Sequence, residues 1–218
     1  MRKSLFINSA GNPKYDAVKH IKPFLLESYE IVNAEFAELP QDLSSYSHVI
    51  LGGSVAPSYE SEWQNRLYRW VKMLIDTEIP ILGICYGHQI IASCHLGMHH
   101  LRKRKKENIG WERITVKADD LLLGTKGNSW TPFAYHGYEL FDLPEDKIKV
   151  IADSDECAVM AYKFCNKNIW GFQPHFEIGR EAAVELLGRF RVGITEEIKY
   201  SPITYISHRT IFDRFFAI

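Results

Sequence analysis

The fold is decided by one stretch of the chain, Ile79-Pro80-Ile81-Leu82-Gly83-Ile84-Cys85-Tyr86-Gly87-His88-Gln89. Its first half is a short apolar run typical of a buried strand, and its second half begins a helical stretch that Gly97 ends. Cys85 lies at the junction, with Gly83 and Gly87 two residues away on either side. A sharp strand-to-helix turn needs small flanking residues, so the pattern predicts a nucleophile elbow with cysteine as the nucleophile.

An elbow at Cys85 has chemical consequences. It would place the thiol at the carboxyl edge of a sheet, where α/β proteins bind ligands. The helix that begins at Tyr86 adds unsatisfied N–H groups and the positive end of a dipole, and both favour a thiolate. The backbone N–H of Tyr86 is also well placed to donate to an oxyanion. We therefore favour a catalytic role for Cys85 over that of a buried structural cysteine. The structural role suits the other three cysteines, Cys94, Cys157 and Cys165.

The sequence around the elbow alternates between strands and helices. Strands are predicted over 4–10, 30–38, 48–51 and 79–84, with helices over 15–29, 61–75 and 86–96. This alternation is typical of an α/β fold of three layers, an open, mostly parallel sheet with helices on both faces. The second half predicts a small antiparallel β insertion that returns to the core sheet. The prediction rests on five extended runs, 112–116, 133–140, 148–152, 158–164 and 169–172. A helix over 180–190 and a tail over 194–218 packed on the body complete a single domain, residues 1–218.

Charge and composition narrow the function. The chain has 218 residues, with 26 Lys and Arg against 27 Asp and Glu, which argues against nucleic-acid or anionic membrane partners. It has no signal peptide pattern and no apolar stretch near the roughly 20 residues that span a bilayer. Four cysteines without a C-x-x-C pair indicate a reducing compartment, so we expect a cytoplasmic protein. The basic run 102–106 is expected to be a solvated surface loop, with a nucleic-acid or localisation signal as the less favoured alternative.

A proton partner for Cys85 is sought among nine histidines. His175 follows an apolar run and stands two residues before Glu177, and residues i and i+2 of an extended chain face the same way. Glu177 would then orient the imidazole, which predicts a Cys85–His175–Glu177 triad, although a surface histidine beside a surface glutamate is the alternative. His95 and His99 have metal-ligand spacing but no third ligand, so we expect neither a metal nor a cofactor.

These motifs resemble those of a known family. Residues 83–89, GICYGHQ, closely resemble the nucleophile motif of class I glutamine amidotransferases, and residues 174–177, PHFE, resemble their histidine–glutamate motif. Further matches between 46 and 188 are Gly52-Gly53-Ser54, Gly110-Trp111 and Tyr135-His136-Gly137-Tyr138. The resemblance is to a stand-alone domain like the glutaminase domain of GMP synthase, and it implies a flavodoxin-like core.

The resemblance also implies a reaction. Cys85 would attack the γ-carboxamide of glutamine while His175, held by Glu177, transfers the proton, giving a γ-glutamyl thioester and ammonia. The oxyanion donors would be the backbone N–H groups of Gly53 and Tyr86. Substrate contacts are implied for Gln89, Tyr135, His136 and Gly137. With no synthetase domain in the chain, the ammonia is expected to go to a separate acceptor or to a separate synthetase.

Two positions depart from the family pattern. Phe176 stands where the family often has proline, which leaves the direction of the neighbouring side chains unchanged. Tyr138 stands where relatives that make guanine nucleotides usually carry aspartate, so a contact to the ammonium group of the substrate is lost. This departure favours one alternative, a γ-glutamyl peptidase acting on a γ-glutamyl amide such as a glutathione conjugate. A non-catalytic binding or regulatory protein is the third hypothesis, against which the complete triad argues.

Overall fold

The computed structural model describes residues 3–10, 17–54, 60–189 and 208–218. The strands are β1 (Lys3–Asn8), β2 (Tyr29–Asn33), β3 (Tyr46–Leu51), β4 (Ile81–Ile84), β5 (Leu101–Trp111), β6 (Ile114–Val116), β7 (Ser129–Trp130), β8 (Phe133–Leu140), β9 (Ile148–Asp153), β10 (Ala161–Phe164) and β11 (Ile169–Phe172). The helices are α1 (Val18–Ile21), α2 (Glu62–Ile75), α3 (Tyr86–Leu96), α4 (Arg180–Arg189) and α5 (His208–Phe216), with 3-10 turns at Lys22–Phe24 and Met98–His100.

The strands within the described residues form one large sheet and one ribbon. The large sheet has nine strands in the order β2-β1-β3-β4-β11-β10-β9-β6-β7, and the ribbon pairs β5 with β8. The first five strands of the large sheet are parallel, while the remaining four pair antiparallel. The predicted α/β class, with its parallel core and small antiparallel sheet, is therefore confirmed. Antiparallel strands also extend the main sheet beyond β11.

Helices cover both faces of this sheet. Successive residues of β1 point to opposite sides, so Leu5 and Ile7 join one hydrophobic cluster and Phe6 joins the other. The side of Leu5 is covered by α2 and α3, and the side of Phe6 by α1 and α5. These two clusters give the three-layer arrangement that the alternation of strands and helices predicts.

Three segments differ from their sequence-based predictions. The strand predicted over 30–38 ends at Asn33, where a turn follows. The helix predicted over 15–29 is only the short α1 followed by a 3-10 turn, with residues 11–16 outside the described part. Pro23 explains this, because proline has no N–H for a helical hydrogen bond and its ring clashes with the preceding turn. The prediction of a loop over the basic run 102–106 is wrong, because this run belongs to β5. Its charges are compatible with a strand because Arg102 and Arg104 both pair with Glu139 on β8.

The C-terminal helix contributes to the core. The predicted tail 194–218 is described from residue 208 onward. There, Phe212 and Phe215 are fully buried, and their rings contact Phe176 and Trp170 respectively. None of the helices in the described ranges has the length and apolarity that a bilayer crossing requires.

Candidate active site

The predicted site residues come together at one edge of the parallel sheet. Three neighbouring parallel strands, β3, β4 and β11, end at this edge. They are followed by Gly52-Gly53, by Cys85 and by the segment 173–177. The backbone N–H of Cys85 donates to the carbonyl oxygen of Phe172 at 2.8 Å, which joins the ends of β4 and β11. The carboxyl ends of adjacent parallel strands are where α/β folds place their ligands.

Cys85 occupies the strained turn that the glycine spacing predicts. Its φ and ψ are 52° and −104°, a conformation that residues other than glycine rarely adopt. A Cβ at Gly83 would lie 2.6 Å from the carbonyl carbon of Gly87, and one at Gly87 would lie 2.2 Å from the carbonyl oxygen of Leu51. Both positions therefore require glycine so that α3 can begin directly against β3 and β4.

His175 links the thiol to a carboxylate. Its Nδ1 donates to Glu177 Oε1 at 2.7 Å, and this fixes the tautomer that leaves Nε2 for Cys85. The backbone N–H of His175 donates to the carbonyl oxygen of Phe133 at 2.7 Å, which anchors the residue to β8. Cys85 and His175 are 5% and 7% exposed, so their interaction is weakly screened by water.

The charge state of His175 follows from these neighbours. Burial on its own would lower the pKa of His175. The negative charges of Glu177 and of a Cys85 thiolate, together with hydrogen bonds to both, instead raise the pKa well above its ordinary value. The site therefore favours the protonated imidazolium of His175 beside the sulfur of Cys85.

The glycine loop after β3 lies directly against this pair. A Cβ at Gly53 would be 2.9 Å from Cε1 of His175 and 3.4 Å from Cβ of Cys85. The structure thus brings the backbone of Gly53 beside both side chains. Tyr86 is the first residue of α3, where backbone N–H groups have no acceptor within the helix.

The predicted substrate segment of β8 covers the thiol. The carbonyl oxygen of Tyr135 lies 3.8 Å from Cys85 Sγ. His136 is buried, and its Nδ1 donates to the carbonyl oxygen of Tyr138 at 2.8 Å. Burial, together with the nearby charges of Arg104 and His175, lowers the pKa of His136 to about 4, so its ring is neutral.

Gln89 of α3 contacts the same segment of β8. Its side-chain nitrogen donates to the carbonyl oxygen of Tyr138 at 3.1 Å and to Oε1 of Gln173 at 3.0 Å. Gln89 therefore ties α3 to β8 and to the end of β11, a positioning contact beyond the substrate role that the resemblance implies.

Two residues of this region were missed by sequence analysis. Gln173 is fully buried and directly follows β11, and its place one residue beyond a buried strand was the available signal. Glu107 lies against Gly137, where a Cβ would be 3.6 Å from its Oε1. No sequence signal indicated Glu107, because its position depends on how β5 pairs with β8. Within the described ranges, no three His, Cys, Asp or Glu side chains are grouped to hold a metal ion.

The site combines a thiol, an imidazole and a carboxylate, joined by hydrogen bonds at a helix N-terminus. This arrangement is suited to nucleophilic acyl transfer.

Comparison with known proteins points to the same chemistry. Residues 22–190 match the model of the family described as glutamine amidotransferase class-I. One of the subunits of the glutamine-hydrolysing GMP synthase of Methanosphaera stadtmanae is 31% identical over 175 residues, covering 80% of this chain and 88% of that protein.

Two further similarities bear on function and fold. Gamma-glutamyl peptidase 2 of Arabidopsis thaliana is 30% identical over 165 residues, covering 74% of this chain and 65% of that protein. The crystal structure of a glutamine amidotransferase from Methylobacillus flagellatus superposes with a TM-score of 0.75 at 16% identity, covering 99% of this chain and 94% of that one. The structural likeness extends over the whole α/β fold.

Proposed function

This chain belongs to the class I glutamine amidotransferase family, and we propose that it hydrolyses the γ-carboxamide of glutamine with a Cys85–His175–Glu177 triad. The observation that carries the proposal is the 2.7 Å hydrogen bond from His175 to Glu177 beside a thiol in a strained elbow. The four cysteines are free thiols, which is compatible with a cytoplasmic enzyme.

The reaction proceeds in two half-reactions. The Cys85 thiolate attacks the amide carbon, and the new C–S bond forms as the carbonyl electrons move to oxygen. The backbone N–H groups of Gly53 and Tyr86 donate to this oxyanion. The imidazolium of His175 gives its proton to the departing nitrogen, so the C–N bond breaks and ammonia leaves. Water then attacks the thioester and gives a proton to His175, so the C–S bond breaks, glutamate leaves, and the thiolate and imidazolium are restored.

We propose a separate synthetase as the acceptor of the ammonia. The support is the relative from Methanosphaera stadtmanae, which is itself one component of a GMP synthase. An assay for ammonia and glutamate with purified protein and glutamine tests the hydrolysis without any partner. Absence of both products, together with failure of a glutamine-mimicking chloroketone to label Cys85, would refute the proposal.

A γ-glutamyl peptidase is the second candidate. It is supported by the 30% identity to the Arabidopsis thaliana peptidase. The same thioester forms in both reactions, and only the leaving amine differs. Incubation with glutathione distinguishes them, because release of cysteinylglycine without ammonia from glutamine identifies the peptidase.

We expect Gly53→Ala to lower kcat/KM roughly 100-fold, because the added methyl group would lie 2.9 Å from the imidazole of His175 and displace it. Steady-state kinetics measures the loss, and thermal unfolding establishes that the variant is folded. Gly179→Ala is the matched control, since a Cβ there has no neighbour within 4 Å. Equal kinetics for the two variants would contradict a close role for Gly53.

We expect Glu177→Gln to move the alkaline limb of the pH–rate profile to lower pH by about one unit or more. The Glu177 charge helps to hold the pKa of His175 above its ordinary value. The protonated imidazolium, which gives its proton to the departing nitrogen, is present below that raised pKa and is lost as pH rises through it. Removing the charge lowers the pKa, so activity falls at lower pH than in the wild type.

The profile of kcat/KM from pH 5 to 10 measures this shift. Glu181→Gln is the control, since it removes an equal charge from an exposed position in the first turn of α4. An unmoved alkaline limb in Glu177→Gln would exclude His175 as the proton donor.

A further inference from the structure

We propose that Glu107 binds the α-ammonium group of the γ-glutamyl substrate and so determines the specificity of the site. This inference rests on the proposed function, because it names the residue that recognises the end of the substrate remote from the scissile amide. Glutamine and γ-glutamyl peptides share that end, so the assignment holds for either reaction.

A wide bulge in β5 places Glu107 over the substrate segment. Lys103 pairs with Tyr138 and Asn108 pairs with His136, so four residues of β5 stand opposite Gly137 alone. Such an insertion bends the strand and redirects its side chains. The carboxylate of Glu107 occupies the space beside Gly137, where a Cβ would be 3.6 Å from Oε1 and 3.7 Å from Cγ.

The separation between Cys85 and Gly137 matches the length of a γ-glutamyl group. Cys85 Sγ contacts the carbonyl oxygen of Tyr135 at 3.8 Å, and Gly137 lies two residues further along the same strand. Two residues of a strand span about 6.6 Å and return to the same face. Between the reacting carbon and the ammonium nitrogen of an extended γ-glutamyl group there are four single bonds, about 5 Å. Burial raises the pKa of Tyr135, and the negative charge of Glu107 raises it further. The carboxylate of Glu107 therefore acts electrostatically on a residue whose backbone contacts the nucleophile.

The other carboxylates around this site are already engaged. Glu177 accepts from His175, Glu112 accepts from Asn108, and Glu139 pairs with Arg102 and Arg104. Within the described part of the chain, Glu107 has neither a hydrogen bond nor an ion pair. A carboxylate without a partner beside the substrate segment is suited to a cationic ligand, because a charge-assisted hydrogen bond is the stronger kind. It would supply the negative charge that Tyr138 lacks.

The test compares Glu107→Gln with wild type on two substrates, glutamine and its analogue without the α-amino group. For glutamine we expect kcat/KM to fall roughly tenfold or more, mainly through a higher KM. For the deaminated analogue we expect equal values in the two proteins. Asp155→Asn, which removes an equal charge from an exposed site, should behave as wild type on both substrates. No loss on glutamine, or equal losses on both substrates, would overturn the assignment.

A labelling experiment separates failure of this inference from failure of the proposed function. The glutamine-mimicking chloroketone carries an α-amino group, whereas iodoacetamide does not. We expect Glu107→Gln to slow labelling of Cys85 by the chloroketone roughly tenfold and to leave labelling by iodoacetamide unchanged. Equal chloroketone rates in the two proteins would refute the role of Glu107, whether or not the wild type turns over glutamine.

Discussion

Replacing Cys85 with serine is expected to lower turnover of the γ-glutamyl substrate by roughly 10⁴-fold or more. In the proposed mechanism the sulfur attacks as a thiolate beside the start of α3 and a protonated His175, whereas a serine hydroxyl remains neutral beside the same groups. The substitution is nearly isosteric and changes no hydrogen bond of the backbone. We therefore expect the free energy of unfolding to change by less than about 1 kcal/mol.

The measurement pairs turnover with mass spectrometry of the chloroketone adduct. Cys165→Ser is the control, because Cys165 is exposed, contrary to the buried position expected from the sequence, and it is distant from the elbow in sequence. Burial raises the pKa of Cys94 to about 12 and that of Cys157 to about 11, so neither thiol should react. Turnover by Cys85→Ser at the wild-type rate would exclude the thioester mechanism. Absence of both adduct and product in the wild type would favour the non-catalytic hypothesis.

The elbow could be predicted because its determinants are local. Gly83, Cys85 and Gly87 lie within one strand-to-helix turn, and the close approach of α3 to β3 leaves no room for other residues there. The pairing of His175 with Glu177 was also predictable, since it needs only an extended chain and a spacing of two residues. The meeting of this pair with Cys85 follows from the parallel pairing of β4 with β11.

Features that depend on distant partners could not be predicted in this way. The basic run of β5 has the charge pattern of a solvated loop, but it belongs to a strand that pairs with β8, where Arg102 and Arg104 both form ion pairs with Glu139. The bulge that places Glu107 beside Gly137 exists only in the paired ribbon. Local sequence carries no record of either pairing, because both depend on residues some 30 positions away.

Gly87→Ala is expected to destabilise the protein by about 4 kcal/mol or more, a large part of the total stability of a domain this size. The added Cβ would lie 2.2 Å from the carbonyl oxygen and 2.8 Å from the carbonyl carbon of Leu51. These are backbone atoms of a central strand, so the clash cannot be relieved by a rotamer change, and α3 would have to move away from the sheet. Cys85 directly precedes that helix, so activity should be lost with stability.

Gly188→Ala provides the matched control for this effect. Gly188 is exposed near the end of α4, where a Cβ has no neighbour within 4 Å. The same substitution should there stabilise the protein by up to about 1 kcal/mol, because alanine loses less backbone entropy in a helix. Urea unfolding of both variants measures the two changes. Similar unfolding midpoints for the two variants would contradict direct packing of α3 on β3. Opposite shifts would show that this contact requires glycine at position 87, whereas no contact requires it at position 188.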